Sequence, residues 1–229
     1  NKELEQFAYV ASHDIKEPVR KIRMFTEKLK SSYAGNIPDE AMRIVEKIDT
    51  SVSRLSEIIH GILAFASVKS EKATEDNVDL VDAIEKVQRD LDLIIEEKKA
   101  KINYELLPVI RGSRFLIYQL FYNLVSNSLK FAKSNVHPII HISAYKPTDK
   151  SCTEIRVEDN GIGFPQEYAD RIFETFTRLH PRATFDGTGL GLSICKSIVE
   201  KHNGSIRAIG KEGLGATFII ELPETIEDS

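Results

Sequence analysis

The chain has 229 residues, 41% hydrophobic and 29% charged, enough apolar content for a real core in one large domain or two ordinary ones, and two are expected. A formal net charge of −4 provides no basic field for a nucleic-acid backbone or an anionic membrane, so neither is expected as a partner. Cys152 and Cys195 are too few and too far apart for a disulfide framework or a zinc site, which points to the cytoplasm, and no apolar run approaches the length of a membrane span.

A helical pattern is already under way at the first residue, so the chain reads as an excised fragment, and a membrane span or sensor could lie upstream. Leu4, Ala8, Ala11, Ile15, Pro18, Ile22, Phe25 and Leu29 alternate four and three apart, a heptad seam that predicts a long helix. His13 falls at an outward position of that seam, and Pro18 is expected to bend the helix just beyond it. After a break at "YAGNIPDE", with Asp39 as N-cap, the pattern resumes as Ala41, Val45, Ile48, Val52, Leu55, Ile59, Ile62 and Ala66. Two helices with one seam each bury little alone, so the hairpin is expected to pair with a second copy in a homodimeric four-helix bundle.

The charged stretch "SVKSEKATEDN" reads as a linker. The expected division is residues 1–68 for the hairpin domain, 69–77 for the linker and 78–229 for a second domain. In the latter, "LVDAIEKVQRDLDLIIEEKKA" and "RFLIYQLFYNLVSNSLKFAK" are predicted helical. "KINYELL", "IIHISAYK", "TEIRVED", "SIRAIG" and "ATFIIEL" alternate as strands, and a further helix spans about 190–202 before Gly204. The expected fold class is an α-helical hairpin followed by an α+β two-layer sandwich, a mixed sheet with helices on one face.

Three stretches of the second domain carry chemistry. Asn123, Asn127 and Lys130 in "NLVSNSLKF" share one helix face, either a solvated stripe or a pocket wall offering amide oxygens to magnesium and an ammonium to phosphates. In "VEDNGIGFP" a strand runs into Asp159, Gly161 and Gly163; this is either an ordinary tight turn or a carboxylate accepting from the exocyclic amine of adenine, beside backbone that can approach a flat ligand. Gly187, Gly189 and Gly191 precede the last helix, whose N-terminus is a natural anion site, but no Walker lysine follows and no Rossmann strand precedes.

Taken together and in this order, the motifs resemble those of the sensor histidine kinases of two-component systems. "SHDIKEP" resembles their phosphoacceptor box, "NLVSNSLKF" the asparagine box, "EDNGIGF" and "GTGLGL" the glycine boxes and "IFETFTRLH" the phenylalanine box. The resemblance covers nearly the whole chain and implies a dimerisation and histidine-phosphotransfer hairpin ahead of a GHKL-type ATP-binding domain. By it, His13 is the phosphoacceptor and Asp14 the acidic neighbour that orients the ring and accepts its proton. Asn127 would hold Mg2+, Asn123 and Lys130 would contact phosphates, and Phe131 would lie against the nucleotide. Asp159 would read the adenine amine, Gly161 and Gly163 would shape the base pocket, and Gly187, Gly189 and Gly191 would hinge a lid over ATP. Thr217 would contact ligand near the base, and Phe173 and Phe176 would pack down the lid "TRLHPRATFD".

The implied activity is an ATP-dependent autokinase that passes its phosphoryl group to an aspartate on a response-regulator receiver domain. Lys16, Arg20, Lys21 and Arg23 could meet an acidic receiver surface, or could simply be a solvated face. Glu17 departs from a frequent family pattern, Thr or Asn four residues after the phosphoacceptor, and implies weak phosphatase activity toward the partner. Two other readings stay open: a GHKL ATPase that drives a clamp, and a scaffold that binds ATP without transferring phosphate. Against the first, such ATPases usually carry a glutamate where this chain has Asn123.

Overall fold

The computed structural model describes residues 2–33, 36–70, 76–105, 107–148, 151–179, 185 and 187–223, with side chains from Ile15 onward except at 60, 69 and 70. The chain divides into two units, Asn1–Ser70 and Glu71–Ser229. The first is a hairpin of two long helices, α1 (Lys2–Ser32) and α2 (Asp39–Ser70). Pro18 lies inside α1, which continues past it; with no N–H of its own, it leaves the carbonyl of Asp14 without a helical donor.

The stripe of α1 that faces α2 is not the predicted one. Val19 packs with Val52, Ile59 and Leu63, and Thr26 and Val45 are also buried. The expected α1 seam of Ile15, Ile22, Phe25 and Leu29 is exposed, as are Ile44, Ile48 and Leu55 on α2. A helix in a bundle needs two adjacent apolar stripes, one for each neighbour, and the more apolar stripe of α1 faces away from the hairpin. Inside the hairpin the α1 stripe is partly polar: Thr26 donates to the carbonyl of Arg23 (2.8 Å) and to Asp49 (3.4 Å). Lys30 Nζ lies 2.6 Å from Asp49 across the two helices, and that hydrogen bond is the leading cause holding the Asp49 carboxyl below its usual value.

The second unit begins with β1 (Asp76–Asp79), whose first two residues fall in the stretch expected as linker, just as α2 runs to Ser70. Asp79 then caps α3 (Leu80–Asp90) by accepting from the N–H of Val81. The single helix expected over 80–100 is two: α3 ends at buried Leu91, and α4 spans Asp92–Lys98. Next come β2 (Lys101–Tyr104), β3 (Val109–Gly112), α5 (Arg114–Lys130), β4 (Ile139–Tyr145), β5 (Cys152–Asp159), α6 (Gly191–Lys201), β6 (Ser205–Lys211) and β7 (Gly215–Pro223).

The main sheet has the order β2-β4-β5-β7-β6, with β2 parallel to β4 and the other pairs antiparallel. A separate antiparallel ribbon joins β1 to β3; the sequence reading missed it because four-residue strands show too little alternation. Helices α5 and α6 cover one sheet face. Leu116, Ile117, Leu120, Phe121 and Leu124 of α5 and Ile198 and Val199 of α6 are fully buried, as are Ile140, Ile142, Ile155, Val157 and Ile220 of the sheet. Registers Ile142↔Val157 and Val157↔Phe218 put these apolar positions on one face, as strand alternation requires.

Two buried groups stitch this core. Ser113 accepts from the N–H of Leu116 and so caps α5. Its own N–H donates to Nε2 of His202 at 3.1 Å, while Nδ1 of that ring faces the Ile198 carbonyl at 2.7 Å. The ring is therefore a neutral tautomer, donor at one nitrogen and acceptor at the other, and burial lowers its pKa. Both cysteines are free.

Candidate active site

The glycine-rich turn after β5, the end of α5 and the start of α6 converge on a cavity of about 440 Å³, within the range of pockets that take small molecules and cofactors. Its base is Asp159, the last residue of β5. One carboxylate oxygen, Oδ1, accepts from the N–H of Gly161 at 2.9 Å and of Ala216 at 3.2 Å. The other, Oδ2, accepts from Ser128 Oγ at 3.1 Å. Burial pushes this carboxyl above its usual pKa, and the three donors oppose that push.

Gly161 follows the strand, and the next N–H, from Ile162, donates to the Phe131 carbonyl at 2.9 Å, tying the turn to the end of α5. At Gly163 the backbone has φ +63, and a Cβ would sit 2.1 Å from the Lys211 carbonyl oxygen, so only glycine fits. Phe131 lines the wall and packs against Phe185, ring centroids 5.0 Å apart.

The rest of the lining includes polar groups. Lys130 lines the cavity, its ammonium 4.9 Å from the centre of the Phe131 ring and against Gly187, where a Cβ would come within 2.2 Å of it. Gly187 has φ +132, so this close approach of backbone to ammonium needs glycine twice over. Arg178 donates to the Gly187 carbonyl at 2.6 Å and to that of Phe185, and the Phe176 N–H donates to the Gly189 carbonyl at 3.0 Å. Together they tether this loop.

Gly191 opens α6, whose start has no side-chain cap, leaving its first N–H groups and the positive end of the helix for an anion. Gly191 sits beside the amides of two asparagines: a Cβ there would lie 3.5 Å from Asn127, which lines the cavity, and 3.8 Å from Asn123, which stands behind the lining. The Asn123 Nδ2 is buried without a partner among the described residues, an unmet donor beside the anion-binding end. Among the described residues no three His, Cys, Asp or Glu side chains cluster as a metal cage. Two amides beside an anion site instead fit magnesium, which takes few protein ligands and keeps phosphate oxygens and water.

Most of the expected site residues of the second unit are thus brought together, with Asn123 and Gly161 beside the lining rather than in it. Thr217 does not line the cavity; its neighbours Ala216 and Phe218 do. Strand alternation turns Thr217 to the other face of β7, and it is the backbone N–H of Ala216 that reaches Asp159. Phe176 is 59% exposed with φ +63, while Phe173 is buried. His13 and Asp14 lie on α1, with their side chains outside the described residues, as are residues 180–184 and 186 of the expected lid.

Ser128 and the Ala216 N–H were not identified from sequence, and Arg178 and Phe185 only as members of the expected lid stretch. For Ser128 a signal existed: it continues the apolar stripe Ile117, Phe121 and Leu124 of α5, where a hydroxyl demands a buried partner. For the contacts of the other three there was none, since they come from separate loops.

Residues 112–226 match the family described as histidine kinase-, DNA gyrase B-, and HSP90-like ATPase, and residues 3–71 match the His Kinase A (phospho-acceptor) domain. The chain is 36% identical over 223 residues to cyanobacterial phytochrome A of Nostoc sp., covering 97% of this chain and 29% of that one. It thus spans less than a third of that relative's length. Full-length ShkA in complex with AMPPNP shares the fold with a TM-score of 0.72 over 98% of this chain and 47% of that one, at 22% identity. ThkA in complex with response regulator protein TrrA does so with a TM-score of 0.63 over 100% and 65%, also at 22% identity. A helical hairpin matched as a phospho-acceptor domain, followed by a cavity built from an aspartate-glycine turn, an asparagine-lysine helix and a glycine-led helix, places this chain in the sensor histidine kinase family.

Proposed function

We propose that the chain is an ATP-dependent autokinase that phosphorylates His13 and passes the group to an aspartate of a response-regulator receiver domain. The observation that carries this reading is the polarity of the cavity. The acceptor carboxylate of Asp159 suits an adenine amine, while the Lys130 ammonium, the Asn127 amide and the uncapped start of α6 suit a triphosphate.

His13 attacks the γ-phosphorus with a ring lone pair. The bond from that phosphorus to the β,γ-bridging oxygen breaks, ADP leaves with the electron pair, and the proton of the other ring nitrogen passes to Asp14. Asn127 would hold magnesium, which supplies charge neutralisation between the phosphates, with Asn123 and Lys130 on the phosphate oxygens. Accessibility of His13 is supported by Arg20 and Glu27, one and two heptads on, which are both exposed. Residues 1–68 would dimerise and carry the acceptor, and residues 78–229 would bind nucleotide. The exposed stripe Ile15, Ile22, Phe25 and Leu29, with Ile48 and Leu55, supports burial against a second copy. No helix among the described residues is long and apolar enough to cross a membrane.

Incubation with γ-labelled ATP should give acid-labile label on the wild-type chain and none on His13→Gln. Mixing His13→Gln with Asp159→Asn chains should restore label if phosphorylation crosses the dimer and leave it absent if it stays within one chain. Label that survives His13→Gln sinks the assignment.

A further inference from the structure

Ser128 is only 3% exposed and sits on the face of α5 that otherwise carries Phe121 and Leu124. A hydroxyl in such a place is costly unless bonded, and it is spent on the cavity's carboxylate: Ser128 Oγ donates to Asp159 Oδ2 at 3.1 Å. A carboxylate oxygen has two lone pairs. Both on Oδ1 are taken, by the N–H groups of Gly161 and Ala216, so Ser128 leaves a single acceptor position, on Oδ2, to face the ligand. We propose that Ser128 is a specificity-determining positioning residue. By donating to Oδ2 it keeps Asp159 an ionised acceptor in one orientation, which admits a purine bearing an amine and rejects one bearing a keto oxygen. The proposal rests on the cavity being a purine nucleotide site.

The alternative state shows why the hydroxyl matters. Were the carboxyl protonated, it could donate to a keto oxygen, and the discrimination would vanish. Burial pushes Asp159 toward that state, and the Gly161, Ser128 and Ala216 donors, with the charge of Lys133 beyond α5, push back. Its register neighbours Ile140 on β4 and Ala216 on β7 carry no charge. Of the three hydrogen-bond donors Ser128 is the only side chain, and therefore the one such bond a substitution can remove without altering the backbone.

The test uses ATP and its keto analogue inosine triphosphate, each titrated with magnesium against the full chain by competition with a fluorescent nucleotide, at about pH 8 and about pH 6. Wild type should favour ATP at both. Ser128→Ala should lose about tenfold of the ATP preference, the worth of one hydrogen bond to a charged group, and lose more at the lower pH. Ser128→Cys, a weak donor that preserves packing, should fall between and guards against misfolding of the alanine variant. An unchanged ATP-to-inosine ratio in both variants overturns the proposal, as does equal weakening of both nucleotides without pH dependence, which marks a purely structural role. Failure of wild type to bind either nucleotide would instead refute the nucleotide reading, and this inference with it.

Discussion

Replacing Phe25 by alanine should weaken self-association without unfolding the hairpin. The ring is 61% exposed in the single chain, so little of its burial supports α1 against α2. Fully burying a phenylalanine stabilises by about 1.5–3 kcal/mol; burying the remaining three-fifths in a dimer is worth about 1–2 kcal/mol per copy. A two-fold interface uses each residue twice, so the variant loses about 2–4 kcal/mol of association, about 30- to 1,000-fold in Kd. Sedimentation equilibrium across a dilution series reads the constant directly, with helicity by circular dichroism as the folding check and Lys28→Ala as an exposed control. Val19→Ala, within the hairpin core, should instead lower helix stability. A dissociation constant within threefold of wild type for Phe25→Ala, with helicity intact, would refute the assignment of this stripe to the partner copy.

Gly163→Ala and Gly213→Ala form a pair at nearly equal backbone angles, φ +63 and +74. At Gly163 the new carbon meets two carbonyl oxygens, 2.1 and 2.6 Å away, while at Gly213 nothing lies within 4 Å. The second should cost about 1 kcal/mol of backbone preference, the first about 3 kcal/mol or more, and thermal melts of the two should separate accordingly; equal melting temperatures would contradict the collision. His202 should make the second unit acid-sensitive. Its folded pKa lies below 6.5, so the unfolded state binds the extra proton, and stability is full above about pH 6.5 and falls as pH drops below it. Urea midpoints at about pH 7.5 and 5.5 should differ more for wild type than for His202→Gln, whose amide can serve both Ser113 and Ile198; parallel losses would exclude His202 as the cause. Glu17 is exposed and pairs with Lys21 at 2.7 Å, too weakly in water to cancel its repulsion of a phosphoryl group. Glu17→Asn should speed loss of phosphate from a phosphorylated receiver severalfold in the presence of ADP, and no change would remove Glu17 from that role.

Whatever depends on neighbours along the chain could be read from the amino acids alone. The heptads of α1 and α2, the long apolar helix α5 carrying Asn123, Asn127 and Lys130, the alternation of β4, β5 and β7, and the order of the glycine turns are all local patterns, legible one segment at a time. Tertiary structure decided what depends on pairing. It chose Val19 and Thr26 over Ile22 and Phe25 for the hairpin's interior, because a helix that meets two neighbours carries two stripes and periodicity cannot rank them. It set the parity of β7, which turns Thr217 away from the cavity and brings the Ala216 N–H to Asp159. It also joined Ser128 to Asp159 and Arg178 to Gly187. Such contacts arise only when distant segments pack, since the direction of a donor is fixed by the backbone it stands on and the location of its acceptor by another.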